Sequence, residues 1–231
     1  LKIKLLHTFI VIPLILLWGC NKGAGMLSSR EGEIHYDIIY LENDLKQISA
    51  DMLPKKMVTT YSNNSYVYEI EGFFGLFVIR NIVNPKKSIN NTELAVLDKK
   101  FYFEGEMDDP AVGFGMMPEM DVSYTGEFKS IAGYNCEKAI ITLEGDESRS
   151  LEVFFTREIP IDNPNRTTPY KDIDGVLMEF YLQLHNIQMK LVANAVYEKK
   201  VQDDLFAKDE GYKKASKEYL EAVLFTLLDS E

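Results

Sequence analysis

Apolar and polar side chains alternate with a period of two through most of this chain, the signature of half-buried β-strands. Ile34, Tyr36, Ile38 and Tyr40 alternate with His35 and Asp37. Met57–Tyr61 and Tyr66–Ile70 flank Ser62-Asn63-Asn64-Ser65, which reads as a hairpin turn. Leu76–Val83 forms a further run, stopped by Asn84-Pro85. Glu93–Leu97 and Phe101–Glu104 pair across Asp98-Lys99-Lys100, and Val122–Ile131 meets Asn135–Leu143 at Gly133. Leu151–Thr156, Val176–Leu184 and Gln188–Lys199 complete roughly ten strands, spaced as in a meandering antiparallel sheet. In the last strand Met189, Leu191, Ala193, Ala195 and Tyr197 share one face, and Lys190, Asn194 and Glu198 the other.

The period changes near the C-terminus. Tyr212–Leu228 places Tyr212, Ala215, Tyr219, Ala222 and Val223 at helical spacing, with Lys213, Lys214, Lys217 and Glu221 between them. That predicts an amphipathic helix of about four to five turns. A sheet with one apolar face must cover it, and this helix is the strong candidate. The expected fold is mainly β: a curved antiparallel sheet forming an incomplete barrel, with the helix packed on its concave face.

A third pattern lies at the start. Lys2 and Lys4 precede an apolar run, Leu5–Trp18, and Gly19 stands before Cys20. The run is shorter than the ~20 residues a membrane span needs. The layout is that of a bacterial lipoprotein signal over residues 1–19, with Cys20 as the lipidated first residue of the mature chain. Residues 20–30, containing Gly23, Gly25, Ser28 and Ser29, read as a flexible tether, and 31–231 as a single β domain. The tether has no acidic run after the cysteine, and Asn21 and Lys22 supply no aspartate for inner-membrane retention. These features point to the periplasmic face of the outer membrane.

Charge fits that placement. Loss of Lys2 and Lys4 takes the formal net charge from −11 to −13, so nucleic acid and anionic headgroups are repelled and lipid must supply the membrane attachment. With Cys20 given to lipid, Cys136 is alone, and its expected role is a small buried hydrophobe within a strand.

Three short motifs carry a resemblance. Gly32-Glu33-Ile34-His35-Tyr36 opens the domain, Gly133-Tyr134-Asn135-Cys136-Glu137-Lys138-Ala139 sits mid-chain, and Asp203-Asp204-Leu205-Phe206 with Gly211-Tyr212 leads to the helix. Together they resemble Bacteroidetes envelope proteins of the GLPGLI type and, more distantly, the LolA/LolB lipoprotein-carrier superfamily. That resemblance implies a half-barrel and no catalytic residues. The chain departs from the carriers in having a long polar stretch after Ile159-Pro160 and no early helix.

Enzyme chemistry is not called for. The mature chain has only His35 and His185, and lacks a Gly-x-Ser-x-Gly elbow, a phosphate-binding glycine loop and a zinc spacing. Met107, Met116, Met117 and Met120 raise soft-metal binding, but no histidine or cysteine lies nearby in sequence. Asp172-Ile173-Asp174-Gly175 starts like a calcium loop but lacks the downstream glutamate, leaving a polar turn. No metal or cofactor is expected.

Two glycine-rich apolar segments, Gly72–Phe77 and Ala111–Met120, combine backbone freedom with adaptable side chains. Phe73, Phe74, Phe114, Met116 and Met117 are the candidate mouth of an apolar pocket, against the plainer reading of loops capping a barrel end. Two functions follow: an envelope module holding an apolar ligand, such as an acyl chain or lipoprotein lipid, or a scaffold lipoprotein with a self-filled core and an unidentified partner. A continuous pocket of several hundred Å³ favours the first and a filled core the second.

Overall fold

In a computed structural model, the structure describes residues 29–43, 53–72, 75–114, 117–143, 146–185 and 187–228. The alternating segments form β1 (Glu31–Asn43), β2 (Lys56–Ser62), β3 (Ser65–Gly72), β4 (Phe77–Asn84), β5 (Ile89–Val96) and β6 (Lys99–Glu104). After them come β7 (Met120–Ile131), β8 (Tyr134–Leu143), β9 (Asp146–Thr156), β10 (Val176–Leu184), β11 (Ile187–Glu198), the short β12 (Lys213–Lys214) and α1 (Lys217–Leu228). The protein is mainly β, with 56% of it in strand, and its one sheet is not closed.

The sheet order is β12-β6-β5-β4-β3-β2-β1-β11-β10-β9-β8-β7. Two meanders therefore meet at a central seam. From β1 the chain steps outward to β6 at one side, and residues 105–119 cross to the opposite edge, where β7 begins. Strands β8 to β11 then step back until β11 pairs with β1, from Gly32↔Glu198 to Asn43↔Ile187. The Asn63-Asn64 turn has positive φ at both residues, +48° and +73°, as a tight two-residue hairpin requires.

The sheet is strongly curled. Six inter-strand steps separate β5 from β10, a span of roughly 29 Å if flat. Yet Thr92 on β5 and Phe180 on β10 line the same small cavity. On that concave side one apolar cluster joins Ile34, Tyr36, Leu94, Ile141, Phe155 and Leu191. A smaller cluster of Val67, Ile82 and Phe206 lies on the convex side, where a 3-10 turn at Asp203–Phe206 rests on β3 and β4.

Two local patterns differ from expectation. The helix starts at Lys217, not Tyr212, because Lys213–Lys214 run parallel to Phe101–Tyr102 and cover the β6 edge. Ser216 then caps it, accepting the Tyr219 amide at 3.2 Å. The buried stripe is Leu220, Leu224 and Leu228, while Tyr219 is 47% exposed and Ala222 lies outward. In β11 a bulge shifts the register between His35↔Ala195 and Tyr36↔Ala193. Met189, Leu191 and Ala193 stay buried, but beyond the bulge Tyr197 turns outward, 53% exposed, to meet the His35 ring edge-on.

The helix also does not cover the concave face by itself. The polar stretch 157–175 folds into it, burying Ile159, Ile161, Tyr170 and Ile173. Its buried polar residues satisfy backbone groups: Asn165 Nδ2 donates to the carbonyls of Ile173 at 2.8 Å and Gly175 at 2.9 Å. No helix among the described residues is long and apolar enough to cross a membrane.

Candidate binding site

The crossing segment, described over residues 105–114 and 117–119, is pinned from both sides of the curl. Asn90 Nδ2 donates to the Glu106 and Asp109 carbonyls at 2.6 and 3.0 Å. The Ala111 amide donates to Thr167 O at 2.9 Å, and the Val112 amide to Thr92 Oγ1 at 3.3 Å. Gly113 follows with φ +91°, and a Cβ there would meet Leu184 Cδ1 at 2.6 Å, so backbone conformation and space both require glycine. Its amide faces Glu221 Oε1 of α1 at 3.3 Å. The strap, the 157–175 insert and α1 are thus mutually keyed inside the concavity.

What remains open is a cavity of about 80 Å³. Met57, Ile70, Ile79, Val112, Leu182 and Met189 give it an apolar wall, and no ionised side chain lines it. Two tyrosines hold the insert over it: Tyr68 donates to Pro164 O at 2.5 Å and Tyr170 to Tyr181 O at 2.6 Å. Burial raises the pKa of both hydroxyls, which stay protonated donors. Two smaller voids of about 50 and 30 Å³ adjoin it, and Met189 lines all three. A flexible, unbranched side chain is therefore one part of the wall between them, with Leu182 on one side and Ile70, Ile79 and Leu184 on the other.

Phe114, one of the candidate mouth residues, borders two spaces. Together with Thr168 it lines both the cavity and an outer cleft of about 500 Å³, which Pro110, Pro118, Glu119 and Lys171 also border. Met117 borders that cleft and the 50 Å³ void but not the main cavity. Phe73, Phe74, Met116 and Cys20 lie outside the described residues, as does the signal segment. Sequence reasoning missed Tyr68, Tyr170 and Asn165, polar side chains whose role is to clamp the insert. The apolar spacing of Ile159, Ile161, Tyr170 and Ile173 was the available signal.

A larger opening, about 840 Å³, is a polar groove on the convex face beneath residues 199–209. Arg80 lies there, but its guanidinium is engaged by Glu93 at 2.9 Å and Glu69 at 3.1 Å. Burial pushes the Glu93 carboxyl above its usual range, against the opposing pull of Arg80 and the Asp209 amide. The groove's central cation is thus neutralised from within. Nearby Glu33 binds Lys199 at 2.6 Å and His35 at 3.2 Å. His185 occupies the β10–β11 turn rather than a strand, with φ +53°, stacked on Phe225 of α1. Among the described residues, no three His, Cys, Asp or Glu side chains converge as a metal-ligand set.

Comparison with known proteins bears on the fold. No family model matches the sequence, and no curated protein matches it. The solved structure of PNGF-II in a C2 space group is similar, with a TM-score of 0.53 and 13% identity over 85% of this chain. The likeness is one of fold. The chain spans about a third of the length of PNGF-II, 33%.

Proposed function

We propose that this protein is a non-enzymatic module of the cell envelope, tethered through a lipidated Cys20 to the periplasmic face of the outer membrane, whose concave interior takes a small apolar ligand. The observation that carries this reading is the boundary position of Phe114, shared by the apolar cavity and the outer cleft. Its aromatic ring, with Thr168 beside it, stands between an interior lined by no ionised side chain and the outer cleft. The adjoining voids add adaptability, since the flexible Met189 side chain borders all three spaces.

Size restricts the ligand. At about 80 Å³ the cavity falls short of several hundred Å³ and is smaller than the roughly 150 Å³ cavity known to hold benzene. An acyl chain or lipoprotein lipid would require the strap or the insert to move; a compact ligand needs only side-chain rearrangement. The small volume also favours a second reading, a scaffold lipoprotein whose strap, insert and helix fill its own core. Native mass spectrometry of protein purified from its own envelope separates the two. A retained apolar adduct supports ligand binding. A bare mass, together with no response to any apolar probe, supports the scaffold.

A further inference from the structure

The outer cleft that shares Phe114 and Thr168 with the cavity has a volume of about 500 Å³, within the range of small-molecule sites. Phe114, Met117, Pro118 and Met120 give it an apolar wall. Its charged lining is lopsided: Glu119, Asp121 and Asp172 stand against Lys171 alone. All four charged residues are exposed, and among the described residues none of their side chains enters an ion pair or hydrogen bond. Asp172 is held by its backbone instead, its carbonyl accepting the Tyr124 hydroxyl at 3.0 Å. Acids elsewhere on the sheet are committed: Glu33 to Lys199, Glu93 to Arg80, Glu104 to Lys214, and Glu179 to Lys129 and Lys190.

We propose that cleft and cavity together select a small amphiphile with a protonated amine, its ammonium among Glu119, Asp121 and Asp172 and its apolar end past Phe114. This rests on the reading that the interior takes a small apolar ligand. No ionised side chain lines the cavity, so a charge carried inside would be left unpaired, whereas in the open cleft it keeps much of its water. A molecule charged at one end therefore enters tail first. The sign of its head follows from the cleft: a carboxylate meets three like charges and one lysine, an ammonium the reverse. Phe114 adds to the same preference, because the face of an aromatic ring attracts a cation. The formal net charge of −11 draws cations toward the protein from further out. Exposed ion pairs are individually weak and are screened by salt. The preference they give together is on the order of tenfold, equivalent to about 1.4 kcal/mol.

The test titrates the full chain with hexylammonium, 1-hexanol and hexanoate, which share a tail and differ in the head. NMR of ¹³C-methyl methionine reads the cleft at Met117 and Met120 and the cavity at Met189. Xenon reports an apolar cavity without needing a head group. The comparison variant carries Glu119→Gln, Asp121→Asn and Asp172→Asn together. Its ratio of hexylammonium to 1-hexanol dissociation constants should move about tenfold against the amine, and comparing ratios cancels the different costs of leaving water. Hexanoate should respond oppositely and bind the variant more tightly. Raising sodium chloride to about 1 M should erode the amine preference of the parent in the same direction. Because the three side chains give up no bond, the variant should melt with the parent. If xenon shifts Met189 but the ratio is unchanged in the variant, amine selection is wrong and the apolar cavity stands. If neither xenon nor any tail shifts Met189, the cavity reading itself fails and the tail-inward amphiphile falls with it.

Discussion

Leu224→Ala is the sharpest probe of how the concavity is filled. Leu224 is fully buried in the central stripe of α1, and its Cδ2 lies 3.5 Å from where a Cβ on Gly113 would stand. Truncation removes three buried carbons, about 2–3 kcal/mol of transfer free energy. A cavity term adds to this, because the facing Gly113 has no side chain that could move in. Its αL-region backbone is also held by the Ala111 and Val112 hydrogen bonds, so collapse is restricted. The expected cost is about 3–4 kcal/mol, within the range of buried Leu→Ala changes. For a domain of this size that lowers Tm by on the order of 10 °C. Urea denaturation followed by far-UV circular dichroism reads it directly, and tyrosine fluorescence serves as a second probe because Trp18 precedes the domain. Ala222→Ser on the outward face is the control, expected within about 0.5 kcal/mol of the parent. A Leu224→Ala cost below about 1 kcal/mol, or a larger cost at Ala222, would refute the packing of α1.

Phe114→Ser should weaken binding of an apolar probe at least tenfold while costing only about 1–2 kcal/mol, since the ring is half-buried; a loss of about 4 kcal/mol with unchanged probe binding would make Phe114 a core residue only. Cys136 is fully buried and burial pushes its thiol up to about 11, so it should resist alkylation at pH 8 until the protein is unfolded; rapid labelling of the native protein would contradict that environment. Glu179 loses solvation by burial, but Lys129 and Lys190, each 2.6 Å away, outweigh that and hold its carboxyl below the usual range. A lowered folded-state pKa gives stability that is present above the unfolded value near 4.5 and is lost as pH falls through the folded one. Glu179→Gln should therefore flatten the acid limb of the stability curve below that pH; an unchanged limb would mean the pair contributes nothing there.

Local chemistry was legible in the sequence and long-range closure was not. The Asn63-Asn64 turn, the Gly133 turn and the strand alternation follow from neighbours within a few residues. The β1–β11 seam joins Gly32 to Glu198, and no local pattern records such a pairing. The bulge near Asn194 was hidden for a related reason: the sequence alternates evenly through Tyr197, and only pairing with β1 inverts the face. The helix start was misplaced because Tyr212 and Ala215 keep helical spacing while the exposed β6 edge draws Lys213–Lys214 into extended pairing. At the candidate site, the glycine-flanked apolar setting of Phe114 draws attention to that residue, but Tyr68, Tyr170 and Asn165 take their clamping role only from long-range contacts that no local pattern records.

The central place of β1 has a mechanical consequence. Its N-terminal end receives residues 29–30, the direction from which any tension on an anchor at Cys20 would arrive. Glu31–Asp37 are laddered to β2 on one side while Gly32–Asn43 are laddered to β11 on the other. A pull along β1 must shear both ladders together, whereas a strand at the rim would peel away one hydrogen bond at a time. A tether entering there would hold the domain along its most heavily laddered strand, and force arriving through it would be borne by both ladders before β1 gave way.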